Sequence, residues 1–155
     1  MASVFKEPVM EFENPDEFVV READWRGEQR ILRAIRVEVF VREQGVPEAL
    51  ECDGLDESCF HVVALNSEGV PVGTARLKRD GHIGRVAVLP RWRGKRIGRR
   101  LVERLVEKAR TLGLRSVELH SQSQAATFYQ EIGFETRGGV FLEANIPHVN
   151  MVKML

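Results

Sequence analysis

The residues most able to do chemistry lie in one stretch, Val86-Ala87-Val88-Leu89-Pro90-Arg91-Trp92-Arg93-Gly94-Lys95-Arg96-Ile97-Gly98. It reads as a strand that ends, a turn rich in glycine and base, and the start of a long helix. The first amides of a helix have no partners within it, and the helix dipole places partial positive charge there. Such an end can hold a phosphate. Gly94 and Gly98 allow close backbone approach, while Arg93, Lys95, Arg96 and Arg99 add full charges. Basic residues in a first helical turn oppose the dipole, so stability alone does not explain them; a bound polyanion does. Two plainer readings remain beside it. One is a solvated basic face that keeps the helix soluble. The other is a nucleic-acid surface, which the neutral net charge opposes. The stretch lacks the Gly-Lys-Ser/Thr of a P-loop and the glycine fingerprint of dinucleotide folds.

Several elements must position this turn. Phe18–Arg21 is a short β-type run, and Asp24 is placed to cap a helix starting near Trp25 or Arg26. Ile31, Leu32, Ile35, Val39 and Phe40 recur at helical spacing, and the helix stops near Gln44-Gly45. Glu48–Cys59 is acidic and reads as a loop. Phe60–Leu65, Val70–Leu77 and His82–Leu89 read as three strands joined by tight turns. Gly94–Leu112 is the longest predicted helix, with an apolar stripe of Ile97, Leu101, Leu105, Ala109 and Leu112. Ser116–His120 is a strand, Gln124–Ile132 a short helix closed by Gly133, and Phe134–Thr136 and Val149–Met154 are final strands. Hairpins followed by β-α-β units predict an α+β fold with a mixed sheet.

Composition narrows the function. Lys plus Arg and Asp plus Glu number 23 each, so the molecule has no bulk field for nucleic acid or an anionic membrane. No apolar run reaches the roughly 18 residues of a membrane span. The first residues lack a cationic start and an apolar core, so no secretory signal is read there. Residues 1–16 are expected to be an N-terminal extension, and residues 17–155 one domain. Cys52 and Cys59 need no disulfide framework and fit a reducing cytoplasm. With His61 they match no common zinc spacing and lack a fourth ligand, so no metal is expected.

The basic turn resembles the acetyl-CoA pyrophosphate loop of the GNAT superfamily of N-acetyltransferases, Arg/Gln-x-x-Gly-x-Gly/Ala. Arg93, Arg96 and Gly98 carry the match, with Gly94 as an extra glycine and Arg96 in place of the usual first glycine of the pair. Gln122 to Phe134 resembles the second signature, Asn-x-x-Ala…Tyr-x-x-x-Gly-Phe, with Gln122 in place of Asn. The stretches Val39–Gln44, Asp53–Asp56 with His61, and Phe141–His148 are similar to the ElaA-type branch.

The resemblance implies a twisted, mostly antiparallel sheet of six to seven strands flanked by about four helices. It also implies an acetyl-CoA-dependent N-acetyltransferase acting on a primary amine of a small molecule or peptide. The cofactor contacts it implies are Val86, Ala87, Val88, Arg93, Gly94, Lys95, Arg96, Ile97, Gly98, Arg99, Gln122 and Tyr129. Tyr129, the single tyrosine of the chain, matches the family's acid that protonates the departing thiolate. A protonated amine must lose a proton before it attacks, and Glu43, His61, Glu143 and His148 are candidates to take it. The acidic loop could attract a cationic acceptor. A non-catalytic acyl-CoA-binding module of the same fold is the alternative, and an autoinducer synthase a more distant one. A homodimer through edge strands is compatible with such a sheet.

Overall fold

A computed structural model of the protein describes residues 16–155. Among the described residues seven strands form one sheet: β1 (Phe18–Ala23), β2 (Phe60–Asn66), β3 (Pro71–Leu77), β4 (His82–Val88), β5 (Ser116–Gln122), β6 (Glu135–Glu143) and β7 (Ile146–Met154). Their spatial order is β1-β2-β3-β4-β5-β7-β6. Every neighbouring pair is antiparallel except β4–β5, which is parallel. The helices are α1 (Trp25–Arg36), α2 (Glu48–Glu51), α3 (Ile97–Thr111) and α4 (Ala126–Glu131). The expected extension lies outside the described residues except for Asp16, whose carboxylate meets Lys95 Nζ at 3.0 Å.

Period-two alternation decides which helix covers which face. Val62, Ala64, Ala75, Leu77, Ile83, Val117 and Leu119 pack with α3 through Ile97, Leu101, Leu105 and Ala109. Leu101 and Leu105 are fully buried, each contributing roughly 1.5–3 kcal/mol by leaving water. The opposite face carries Val63 against Trp25 and Leu32, and Ala87 against Ile35 and Val39. Leu112 falls beyond α3 and is exposed, so the apolar stripe ends at Ala109.

One irregularity changes the course of β4. The β3–β4 register slips by one residue between Thr74 and Arg76, and Arg85 takes a left-handed φ of 52°. The extra residue of this bulge re-aims the strand beyond it. Val86 and Val88 thereby join the α3 face, while Ala87 turns to α1.

Three further expectations are corrected. Gly94 and Arg96 have φ of 78° and 68°, which no α-helix accommodates, so α3 begins at Ile97 rather than Gly94. Strand β6 runs to Glu143 and forms a nine-residue hairpin with β7 around the positive-φ pair Ala144-Asn145. Such a pair closes a two-residue hairpin with the twist the strands need.

The third correction concerns the acidic segment, which is not a simple loop. It contains α2, and both Glu51 and Asp56 are buried. Arg36, itself 1% exposed, donates to Glu51 and to both oxygens of Asp56 at 2.7 and 3.1 Å. Arg76 donates to Asp56 at 3.0 Å and also pairs with Asp53. Arg85 donates to the Glu51 carbonyl at 3.0 Å. Hydrogen bonds from Arg76 hold the Asp53 carboxyl well below the usual range. Burial pushes the Asp56 carboxyl up, but Arg36 and Arg76 outweigh it and the net shift is downward.

Candidate active site

The site opens where a strand pair comes apart. β4 and β5 pair only at His82↔Glu118 and Ile83↔Leu119. Beyond that point β4 stays with β3 as far as Val88↔Gly73, and β5 stays with β7 as far as Gln122↔His148. The gap between them widens into a cleft of about 1020 Å³.

One end of the cleft is the start of α3. Its first intrahelical bond runs from the Arg100 amide to the Arg96 carbonyl at 3.1 Å, and no side chain caps it. The amides of Ile97, Gly98 and Arg99 therefore precede the helical ladder. Arg96 occupies the capping position in the left-handed region, which costs a residue with a Cβ about 1–2 kcal/mol. A Cβ on Gly98 would lie 3.4 Å from Phe128 Cζ, so glycine keeps this wall open.

Val86, Val88, Arg93, Gly94, Arg96, Ile97, Gly98 and Arg99 line the cleft. Ala87 and Lys95 do not: Ala87 packs under α1, and Lys95 bonds Asp16. Arg93 and Glu43, expected in separate roles, form one pair with two 2.7 Å bonds, while Arg93 Nε holds the Val88 carbonyl at 2.9 Å. Those bonds lower the Glu43 carboxyl, which weakens it as a base.

In the middle of the cleft, α1 continues through a widened turn over Val37–Glu43, where the Gln44 amide reaches back five residues to Val39. Such widened turns frequently occur at functional sites. This one delivers Phe40 and Gln44 to the cleft. Gln44 accepts from Gln122 Nε2 at 2.8 Å, and Gln122 in turn accepts from Gln124 at 2.7 Å. Tyr129 lines the same region, edge-on to Phe128 and Phe134 at centroid distances of 4.8 and 5.9 Å. Burial pushes its hydroxyl up to about 12. The phenol therefore stays a proton donor throughout the neutral range.

The far end gathers carboxylates and imidazoles. Glu143 Oε1 meets His120 Nδ1 at 2.9 Å, and Oε2 lies 3.6 Å from His148 Nε2. His148 Nδ1 donates to the Ile146 carbonyl at 2.6 Å. His82 stands across the gap from His120, ring centroids 6.2 Å apart. Sequence reasoning missed His82 and His120. Each is an isolated histidine on a strand, and the partner of His120 lies 23 residues further along.

His61 lies elsewhere. It lines a separate hollow, stacks on Trp25 at 4.8 Å and bonds the Asp56 carbonyl at 2.8 Å. Burial lowers its pKa, so it is held neutral as part of the packing under α1. The candidates thus divide, with Glu43, Glu143, His148 and Tyr129 at the cleft or its rim and His61 outside it. Among the described residues no helix is long and apolar enough to cross a membrane.

Comparison with known proteins fits this geometry. A family model described as an acetyltransferase (GNAT) domain matches residues 22–155. Protein YyaT of Bacillus subtilis (strain 168) is 41% identical over 125 residues, covering 77% of this chain and 84% of YyaT. Protein ElaA of Escherichia coli (strain K12) is 30% identical over 129 residues, covering 79% and 84%. The ElaA crystal structure superposes with a TM-score of 0.79 over 88% of this chain and 99% of that one, at 25% identity. The crystal structure of an acyl-CoA N-acyltransferase from Pseudomonas aeruginosa gives a TM-score of 0.77 at 31% identity, covering 88% and 99%. The chain belongs to the GNAT acetyltransferase family, in its ElaA-type branch, a family that draws its acyl groups from acyl-CoA donors.

Proposed function

We propose that the protein transfers an acetyl group from acetyl-CoA to a primary amine of a small molecule or peptide by direct attack. The observation that carries this reading is the parting of β4 from β5, because the gap connects the uncapped start of α3 to the cluster of Glu143, His120 and His148. In this reading the diphosphate of CoA lies on the amides of Ile97, Gly98 and Arg99, with the Arg96 and Arg99 guanidinium groups beside it. The pantetheine arm runs along Val86 and Val88, where β4 has lost its β5 neighbour. Gln122 offers an amide to the same arm. Neither Ala87 nor Lys95 has a direct contact in this arrangement.

The reaction needs a donor for the departing thiolate and a receiver for the amine's proton. Tyr129 supplies the donor. The receiver lies in the cluster of Glu143, His148 and His120, and the reading gives Glu43 and His61 no part in proton transfer. Free CoA release measured over a panel of amines tests the assignment. Wild type is expected to turn over with at least one amine, and Tyr129→Phe to lower kcat by about 100-fold with CoA binding unchanged. An unaltered kcat removes Tyr129 from the acid role. Saturable CoA binding without acetylated product from any amine supports the non-catalytic module instead.

A further inference from the structure

We infer that the acceptor amine gives its proton to Nε2 of His120, with Glu143 as the residue that positions that ring. The inference rests on the acetyl-transfer reading above. A neutral imidazole has one N–H and one lone pair, and only the lone pair can take a proton. His82, His120 and His148 line the cleft, so the question is which of them presents a lone pair to it.

His148 has an accepting oxygen beside each nitrogen, hydrogen-bonded at Nδ1 and 3.6 Å away at Nε2. Nδ1 donates to the Ile146 carbonyl, and Nε2 faces Glu143 Oε2. His82 is flanked likewise, with Nδ1 on Asp80 Oδ1 at 3.0 Å and Nε2 on Glu118 Oε1. Each of these rings turns both nitrogens toward oxygens that only accept. His120 differs. Its Nδ1 meets the Glu143 carboxylate, which accepts, so the partner assigns the proton to Nδ1 and the lone pair to Nε2. Among the described residues Nε2 of His120 has no hydrogen-bond or ion-pair partner.

Position supports the same assignment. The last β4–β5 pair is Ile83↔Leu119, so His120 is the first residue past the apex of the gap. Its ring stands edge-on to Phe141 at 5.0 Å and to His82 at 6.2 Å, and its side chain is 41% exposed. The charged and titratable groups around it are Glu143 on β6, His148 on β7, and His82 and Glu118 on β4 and β5.

The step balances. The ammonium group gives one proton to Nε2 of His120, and its freed pair forms the C–N bond to the acetyl carbon. The C–S bond breaks with its pair on sulfur, which takes the Tyr129 proton. The surplus proton on nitrogen restores the Tyr129 hydroxyl, and His120 passes its own to solvent. One amide, one thiol and one free proton result.

Kinetics across pH with an amine that wild type accepts test the inference. His120→Gln is expected to lower kcat/KM about 100-fold at neutral pH. That deficit shrinks as pH rises toward the amine's own pKa, because an unprotonated amine needs no base. CoA affinity and thermal midpoint stay at wild-type values, and added imidazole restores part of the activity of His120→Ala. Wild-type kcat/KM in His120→Gln overturns the inference and leaves the transferase reading intact. A deficit that is constant with pH and indifferent to imidazole also overturns it, by making the role structural. Absence of product from wild type with every amine overturns both.

Discussion

The acidic segment around Glu48–Glu57 and the basic turn around Arg91–Arg99 look alike in the sequence, as dense runs of one charge, and they end as opposites. The acidic run is consumed internally: Glu51, Asp53 and Asp56 are held by Arg36 from α1, Arg76 from β3 and Arg85 from β4. Those partners lie 15 to 34 residues away along the chain. In the basic turn Arg93 and Lys95 find carboxylates, yet the backbone keeps its first helical amides outside any ladder and sets Arg96 in a left-handed conformation. One run is a clamp that fixes a wall of the cleft. The other is a strained, open turn, to which the proposed function gives the role of an anion site. A charge run has no meaning until the reach of distant partners is known.

The contrast can be broken from either side. The largest effect is expected at the clamp, where Asp56→Ala leaves Arg36 and Arg76 buried with an uncompensated charge. Loss of one member of such a network is worth about 3–5 kcal/mol, readable by chemical denaturation; a loss under about 1 kcal/mol would place Asp56 with ordinary surface pairs. The same network predicts a direction with pH. Asp53 and Asp56 have folded pKa values below their unfolded ones, so as pH falls the unfolded chain binds protons first. Their contribution is complete above about pH 4 and is lost as pH falls through the lower folded values. Thermal midpoints taken between pH 5 and pH 2 should drop for wild type and drop less for Asp56→Ala.

At the open site, Gly98→Asp adds a carboxylate where the dipole welcomes it but where a diphosphate would be repelled. Stability should change little, while CoA affinity falls about 100-fold, equivalent to roughly 2.8 kcal/mol. Unchanged affinity would remove the α3 terminus from cofactor binding. The smallest effect is expected for Arg96→Gly. Relief of the left-handed strain should raise stability by about 1 kcal/mol, with CoA affinity altered only several-fold because the backbone does the holding. A destabilised variant would mean that the Arg96 side chain, not its backbone, sustains the turn.

Patterns of short range were legible in the sequence. The three central strands, the α3 stripe and the basic turn before it depend on spacings of two to four residues, and the structure has them. The start of α3 was misplaced because Gly94 and Arg96 look like helix residues until their φ angles are known. The β6–β7 hairpin was underestimated because Gly138-Gly139 interrupts the apolar alternation and Ala144-Asn145 is an unusual turn pair. The acidic clamp and the His120–Glu143 pair were invisible for one physical reason. Each is made by strand and helix neighbours far apart in the chain, and no local spacing encodes a tertiary hydrogen bond. His61 misled in the same way, since a strand histidine two residues after Cys59 gives no sign of the tryptophan that stacks on it.

The most direct test of the central claim is a calorimetric titration of CoA and acetyl-CoA into the folded protein. Saturable binding of both at one site per chain, weakened in Gly98→Asp, is the predicted result. Failure of either ligand to associate with wild type would contradict the account, because the gap between β4 and β5 would then have no donor to admit.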